Sequence, residues 1–199
     1  VLFGQDTGRS AFIRPRLPRN KKLNLEKFGG TEETEKAVSE ALAWFMRQQE
    51  EDGRWSPRLI ALRCGDEEPQ AAESEWLVHE ASIDVPATAL VLLCFSGAGP
   101  DQVKRYYKGY TKGVTWLRKQ QKGDGGFGEA NYTNAIAPTA LLEAYAVTGD
   151  KNLRGACEKG INRLKRMQCS LGGWDYLDPS GRNDLSITGW NVWALITAE

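Results

Sequence analysis

The sequence predicts an all-α protein, and three observations support this. Amphipathic helical periodicity recurs along the chain, long apolar stretches follow the amphipathic segments, and no strand-like alternation of any length occurs. The chain has 199 residues, of which 41% are hydrophobic and 26% charged, so it can bury a sizeable core. No apolar run approaches the roughly 18 to 20 residues that span a bilayer, and no transmembrane segment is expected.

Charge excludes some partners. Lysine plus arginine and aspartate plus glutamate both total 26, so nothing favours a nucleic acid or an anionic membrane as the main partner. Residues 1–30 are the exception, because they hold seven basic residues against two acids and are interrupted by proline and glycine. We predict an extended basic arm or linker over 1–30 and a helical domain over 31–199. The chain begins with Val rather than Met, so we expect it to belong to a longer protein.

Cysteine and histidine give no sign of a metal site. The four cysteines form no Cys-x-x-Cys pair, and His79 is the single histidine. Cys94 and Cys157 fall in apolar helical patterns, where cysteine usually packs as a small hydrophobe. We therefore predict no metal, no cofactor and no disulfide scaffold.

Internal self-similarity is the strongest signal in the sequence. Three segments of sixteen residues align without gaps, and each ends in Gln-x-x-x-Gly-x-aromatic. The motif residues are Gln49, Gly53 and Trp55, then Gln121, Gly125 and Phe127, and finally Gln168, Gly172 and Trp174. The glycines are expected to end the amphipathic helices in left-handed caps, with the aromatic ring folded back over the helix end. The glutamine is expected to pair with free backbone groups, so the motif is structural rather than catalytic.

A second, almost wholly apolar helix is predicted after each motif. Its marker is a threonine at 88, 139 and 188, which gives a repeat of roughly 50 residues. Asp84, Asn134 and Asp184 are the predicted N-caps, and Pro86 and Pro138 are placed in or near first turns. An insertion at about 56–82 interrupts the first repeat, and it holds Cys64, Trp76 and His79.

These motifs resemble the prenyltransferase and squalene-cyclase repeat superfamily, whose Gln-Trp motif matches all three turns over about residues 30–199. Gly29–Glu35 and the Thr-Gly-Asp at 148–150 look like bacterial members with no assigned reaction. The resemblance implies an α/α toroid with amphipathic helices outside and apolar helices around a central cavity. Three repeats are fewer than a closed ring of this family contains, so a partial ring is expected, completed by a homodimer or by the rest of the ring.

The resemblance does not extend to the chemistry of the family. Protonating cyclases carry Asp-x-Asp-Asp-Thr-Ala, but Pro86 and Ala87 replace the two acids that would do the work. Asp84 is therefore predicted to be an N-cap, and it and Asp184 are weak candidates for a catalytic acid. The Asp-x-Cys zinc motif of protein prenyltransferases is missing, and Glu67 stands where a thioester domain needs glutamine after Cys64.

Two kinds of function stay open. The first is binding of an apolar isoprenoid or lipid ligand, or of a protein partner, with cavity candidates Phe95, Tyr145, Trp190 and Trp193. These aromatic residues can equally fill the core. The second is catalysis, either by a terpenoid cyclase or transferase with unidentified acids, or by a toroidal polysaccharide-active enzyme. The latter would use carboxylates at one mouth of the ring, namely Glu129, Glu143, Asp175 and Asp184.

Overall fold

The computed structural model describes residues 18–65, 80–177 and 182–198. These residues form nine α-helices, with a single 3₁₀ turn at Lys151–Leu153 before the eighth. The helices are α1 (Pro18–Lys27), α2 (Glu32–Gln48), α3 (Pro57–Arg63), α4 (Glu80–Ala98), α5 (Pro100–Arg105), α6 (Tyr107–Lys119), α7 (Asn131–Thr148), α8 (Arg154–Arg166) and α9 (Leu185–Thr197). Within these ranges there is no strand, and one isolated antiparallel bridge joins Trp174 and Asp184. The all-α class is confirmed.

The N-terminal arm requires a correction. Residues 18–27, which the sequence predicted to be extended, form α1, and residues 1–17 lie outside the described part of the chain. Pro18 is compatible with the helix because it is the first helical residue, where a backbone N–H would have no acceptor within the helix. Lys21 joins α1 to the rest of the fold by an ion pair with Glu35 and a hydrogen bond to the Ala98 carbonyl oxygen.

The three amphipathic helices α2, α6 and α8 each lead into a motif turn of the same construction. In the first, the Gly53 amide donates to the Glu50 carbonyl oxygen (3.0 Å) and the Glu50 amide donates to the Arg54 carbonyl oxygen (2.9 Å). The same two bonds recur at 122–126 and 169–173. The motif glycines have φ of 104°, 92° and 93°, so the prediction of a positive φ is confirmed. Their predicted place was wrong, because each lies several residues beyond the helix end rather than at the cap.

The aromatic residue of the motif covers the preceding helix, as predicted. Trp55 is fully buried, and its indole N–H donates to the Phe45 carbonyl oxygen at 2.7 Å. Trp174 does the same to the Leu164 carbonyl oxygen at 2.8 Å. Each indole therefore adds a hydrogen bond to a carbonyl oxygen in the last turns of α2 or α8.

The apolar helices α4, α7 and α9 pack side by side, with α7 between the other two. Residues 133–144 of α7 are all buried, which explains why this stretch shows no polar face. The predicted N-caps Asp84 and Asn134 in fact lie inside α4 and α7, and Pro86 and Pro138 lie beyond the first turns. The helices begin earlier than expected. The first amide of α7 donates to the Tyr176 carbonyl oxygen at 2.8 Å, so no side-chain cap is needed there.

The insertion contains α3, which follows the first motif turn. Cys64 ends this helix and is exposed, while Trp76 and His79 lie outside the described residues. Cys157 is buried as predicted. Cys94 is exposed on α4, which corrects the expectation that it packs in the core.

Candidate functional site

An apolar strip on α9 is the most unusual surface of the described chain. Leu185, Val192, Trp193 and Ile196 are exposed along one side of the helix, with Trp190 half-buried beside them, and we call these five residues the α9 apolar surface. The opposite side of α9 is buried against α7. The sequence of α9 is apolar on nearly all sides, as a fully enclosed helix would be, yet only one side is covered by described residues.

The aromatic part of this surface has a defined geometry. The Trp190 and Trp193 rings stack with centroids 5.3 Å apart and planes 4° from parallel. Tyr132, at the start of α7, lies against Trp190 with centroids 6.4 Å apart. Indoles combine a large apolar area with few rotatable bonds, so they provide contact area at a low entropic cost.

The start of α9 is fixed by hydrogen bonds. Asp184 is its N-cap, as predicted, and its carboxylate accepts from the Ile187 amide at 2.9 Å. The Ser186 hydroxyl also donates to this carboxylate, and the two bonds lower the pKa of Asp184. The Thr188 hydroxyl oxygen accepts from the Trp174 amide at 3.0 Å, which ties α9 to the third motif turn.

Asp175 and Arg182 form an ion pair beside this cap. Two guanidinium nitrogens of Arg182 lie 3.0 Å from the Asp175 carboxylate oxygens, and the Asp175 hydrogen bonds are the main cause that raises the pKa of Arg182. The side-chain amide of Asn131 donates to the backbone carbonyl oxygen of Asp175 at 2.8 Å. A carboxylate held in this way is poorly suited to giving or taking a proton.

The four carboxylates that the sequence suggested for one mouth of the ring lie in different surroundings. Glu143 is buried in the interior. The pKa of Tyr110 is raised mainly by burial of its phenol and, to a smaller extent, by the charge of Glu143. Glu129 is exposed in the loop before α7. Asp175 and Asp184 are near each other, but their carboxylates accept the hydrogen bonds described above. Glu143, far along α7 from the Asn131 end that contacts Asp175, is therefore separate from Asp175 and Asp184.

Asp84 lies within α4 next to the first motif turn. Burial raises the pKa of Asp84, opposed by a Ser56 hydrogen bond and by the charge of Arg54. The Arg54 Nε lies 3.0 Å from Asp84 Oδ2, and Arg54 also pairs with Asp52 at 2.8 Å. Sequence reasoning missed this cluster, because it joins a turn residue to a helix 30 positions later.

The aromatic cavity candidates separate into two groups. Phe95 is fully buried and contacts Trp55, Tyr106 and Tyr110, so it belongs to the core of the described chain. Tyr145 is half-buried near the end of α7. Of the candidates, only Trp190 and Trp193 lie on the α9 apolar surface.

A shallow pocket between α6 and the end of α7 was not foreseen. Its volume is about 270 Å³, and Tyr107, Thr111, Arg118, Asp150 and Asn152 contribute to its lining. The lining is largely polar and solvent-facing, and none of the three motifs contributes to it. The pocket is therefore unrelated to the apolar ligand that the sequence suggested.

Searches for other kinds of site gave two negative findings over the described residues. No cluster of three or more histidine, cysteine, aspartate or glutamate side chains has the arrangement of a metal site within 18–65, 80–177 and 182–198. Over the same residues, no helix combines the length and apolar character that crossing a membrane requires.

Comparison of the chain with protein-family models, with curated proteins and with solved structures gives no match.

Proposed function

We propose that this chain is a non-catalytic helical-repeat module that binds an α-helical protein partner through the α9 apolar surface. The observation that carries the proposal is the exposure of Leu185, 90% accessible, and of Trp193, 42% accessible, on an apolar helix whose opposite side is buried. A continuous apolar strip along one helix matches the way helices pack against helices. We also propose that the chain is related to the prenyltransferase and squalene-cyclase repeat superfamily and that its helices form part of a toroid.

The state of the acids supports binding over catalysis. Asp184 accepts two hydrogen bonds as an N-cap, and Asp84 lies against Arg54. Neither carboxyl is placed beside the exposed indoles, where a carbocation would have to form.

A second candidate is an isoprenoid ligand, which the stacked Trp190 and Trp193 rings favour. Farnesol is a suitable probe, and tryptophan fluorescence reports its binding. Saturable quenching that disappears in Trp193→Ala would support the isoprenoid. Quenching that is linear in farnesol, or equal in the variant, would exclude it.

The main proposal is tested with a helical probe. A fluorescein-labelled amphipathic peptide, with Leu and Ala on one face and equal numbers of Lys and Glu on the other, is titrated with the chain and followed by anisotropy. We expect Trp193→Glu to weaken binding at least about tenfold. Tyr107→Glu is the matched control, because Tyr107 is an exposed aromatic residue on α6, and it should leave binding unchanged. Equal binding by wild type and Trp193→Glu, or no binding by wild type, would overturn the proposal.

A further inference from the structure

The first two motif turns each contact the next amphipathic helix in the same way. A Cβ built on Gly53 would lie 2.6 Å from the Lys112 carbonyl oxygen, and one on Gly125 would come still closer to that of Lys159. Gln49 donates to the Gly109 carbonyl oxygen at 2.9 Å, and Gln121 donates to that of Ala156 at 2.9 Å. This is one packing arrangement used twice, with α6 and then α8 as the receiving helix.

The receiving helix needs small residues at two positions, four apart. These are Gly109 and Gly113 in α6, and Ala156 and Gly160 in α8. Gly113 is buried under Trp55, since a Cβ there would lie 2.7 Å from the indole ring. Small side chains thus allow a motif turn to approach the helix backbone closely.

The third motif turn has the same internal structure but no receiving helix among the described residues. Gln168 donates to the Gly172 carbonyl oxygen at 2.6 Å, as its counterparts do in the other turns. A Cβ on Gly172 would meet no atom within 4 Å, and the neighbouring Leu171 is 73% exposed. The turn is therefore built for a contact that the described part of the chain does not supply.

Helix α2 carries the complementary half of this contact. Alignment of the three motif segments places Ala37 and Ala41 where α6 has Gly109 and Gly113. Both alanines are exposed, whereas Gly113 is buried under the preceding turn. No described residue covers the small-residue face of α2, so this face can receive a motif turn.

The apolar helices repeat this relation in a second layer. Val85 of α4 and Ile136 of α7 are 4% and 1% exposed, but Leu185 at the aligned position of α9 is 90% exposed. On the other side of this layer, Leu90 and Cys94 of α4 are exposed. Among the described residues, the layer thus leaves one apolar face on α9 and another on α4.

We infer that the partner is a second copy of this chain, bound head to tail. The third motif turn and α9 of one copy contact α2 and α4 of the other, continuing the packing that joins α4 to α7 and α7 to α9. This inference rests on the proposed function, since the α9 apolar surface supplies half of the interface. A heterologous contact of this kind closes into a ring if the rotation allows, and otherwise forms open chains.

The inference is tested by sedimentation velocity of the wild-type chain from micromolar to near-millimolar concentration. We call the α2 and α4 surfaces of one copy the receiving face, and the third motif turn with the α9 apolar surface the donating face. Ala41→Arg obstructs the receiving face and Leu185→Glu charges the donating face. Each substitution should raise the dissociation constant at least about 100-fold. Both positions are exposed, and arginine in a helix and glutamate in a first turn are well tolerated, so folding should persist. Asn162→Arg, on the exposed side of α8, is the matched control and should associate like wild type.

Mixing the two variants gives the most specific readout. Ala41→Arg retains a sound donating face and Leu185→Glu a sound receiving face, so an equimolar mixture should form heterodimers although each alone is monomeric. Iodoacetamide labelling of Cys94 should slow on association, while that of Cys64 should not, because only Cys94 lies on the α4 face.

The outcomes separate this inference from the proposed function. If Ala41→Arg associates as well as wild type while Leu185→Glu does not, the α9 surface binds protein but the partner face is another one, and the head-to-tail inference is wrong. If wild type stays monomeric but binds the helical peptide, the inference fails and the proposed function stands. If wild type neither associates nor binds the peptide, both fail.

Discussion

The Gln121 side chain donates a hydrogen bond to the Ala156 carbonyl oxygen at 2.9 Å, and this contact joins the motif turn after α6 to the side of α8. The same amide group donates to the Gly125 carbonyl oxygen at 3.2 Å, within its own turn. One side chain thus shapes the turn and fixes the neighbouring helix. The glutamine of the motif is a structural connector, and its importance should depend on whether both acceptors are present.

Replacing the motif glutamines should have unequal effects on stability. Gln121→Ala removes donations to two carbonyl oxygens, whereas Gln168→Ala removes the one to Gly172. We expect Gln121→Ala to lower the free energy of unfolding by about 1 kcal/mol more than Gln168→Ala, because an additional hydrogen bond is lost. Urea denaturation of the two variants measures the difference, and equal losses would contradict the connector role.

The motif glycines should differ for a similar reason. Gly125 and Gly172 have φ of 92° and 93°, so alanine is strained equally at both. A Cβ on Gly125 also collides with the Lys159 backbone, while one on Gly172 meets nothing. Gly125→Ala should therefore lower the free energy of unfolding by at least about 2 kcal/mol more than Gly172→Ala. Thermal and urea unfolding provide the comparison, and a difference near zero would refute the close approach.

Two threonines that align in sequence should respond differently to loss of their hydroxyl. The buried Thr88 accepts from the Trp55 amide at 2.9 Å, whereas the Thr139 hydroxyl donates to the Ala135 carbonyl oxygen within its own helix. Thr88→Val leaves a buried N–H without its acceptor and should cost about 1–3 kcal/mol. Thr139→Val should cost much less, because the Ala135 carbonyl can still accept its helical bond. A larger loss for Thr139→Val would reverse the assignment.

Asp84 and Asp184 should give opposite pH dependences of stability. The pKa of Asp84 is raised, mainly by burial, so its contribution is complete below the ordinary value and is lost as the pH rises through the folded-state pKa. The pKa of Asp184 is lowered by its hydrogen bonds, so its contribution is present above the ordinary value and is lost as the pH falls.

Denaturation of wild type, Asp84→Asn and Asp184→Asn between about pH 3 and 6 tests these signs. The stability of wild type relative to Asp84→Asn should decrease with rising pH, and relative to Asp184→Asn it should increase. Slopes of the same sign for both variants would be inconsistent with the two environments.

The cysteines should differ in thiol reactivity. Burial raises the pKa of Cys157 to about 12. Partial burial of the thiol also raises the pKa of Cys94, although the residue as a whole is exposed. Cys64 is exposed at the end of α3. Since the thiolate is the reactive form, iodoacetamide should modify Cys64 first, Cys94 more slowly and Cys157 only after unfolding. Mass spectrometry of timed digests gives the order, and early modification of Cys157 would show that α8 is not packed as described.

Local patterns predicted much of this fold. Helical periodicity gave the all-α class, and Asp184 was recognised as a cap because its amide partner, Ile187, lies three residues away. The positive φ of the motif glycines followed equally from the residue type. Each of these features depends on neighbours in sequence, which is where propensity and capping rules apply.

The features that the sequence did not predict depend on contacts between a loop and a separate helix. Local rules predict Asp84 to be a cap because its partner Arg54 is 30 residues away in the chain. Asn134 was also taken for a cap, but it accepts from the Phe127 amide at 2.7 Å, the role that Thr88 and Thr188 fill for the other two motif turns. No local rule indicates which of two nearby polar side chains a loop amide will reach.

The central claim is that the α9 apolar surface binds a second copy of this chain, and native mass spectrometry of wild type and Trp193→Glu tests it most directly. We predict a wild-type species at twice the 22.1 kDa chain mass, free of bound small molecules, and a Trp193→Glu sample that remains at the single-chain mass. A wild-type monomer carrying extra mass that extracts into organic solvent would contradict this account and favour an isoprenoid ligand on the stacked indoles.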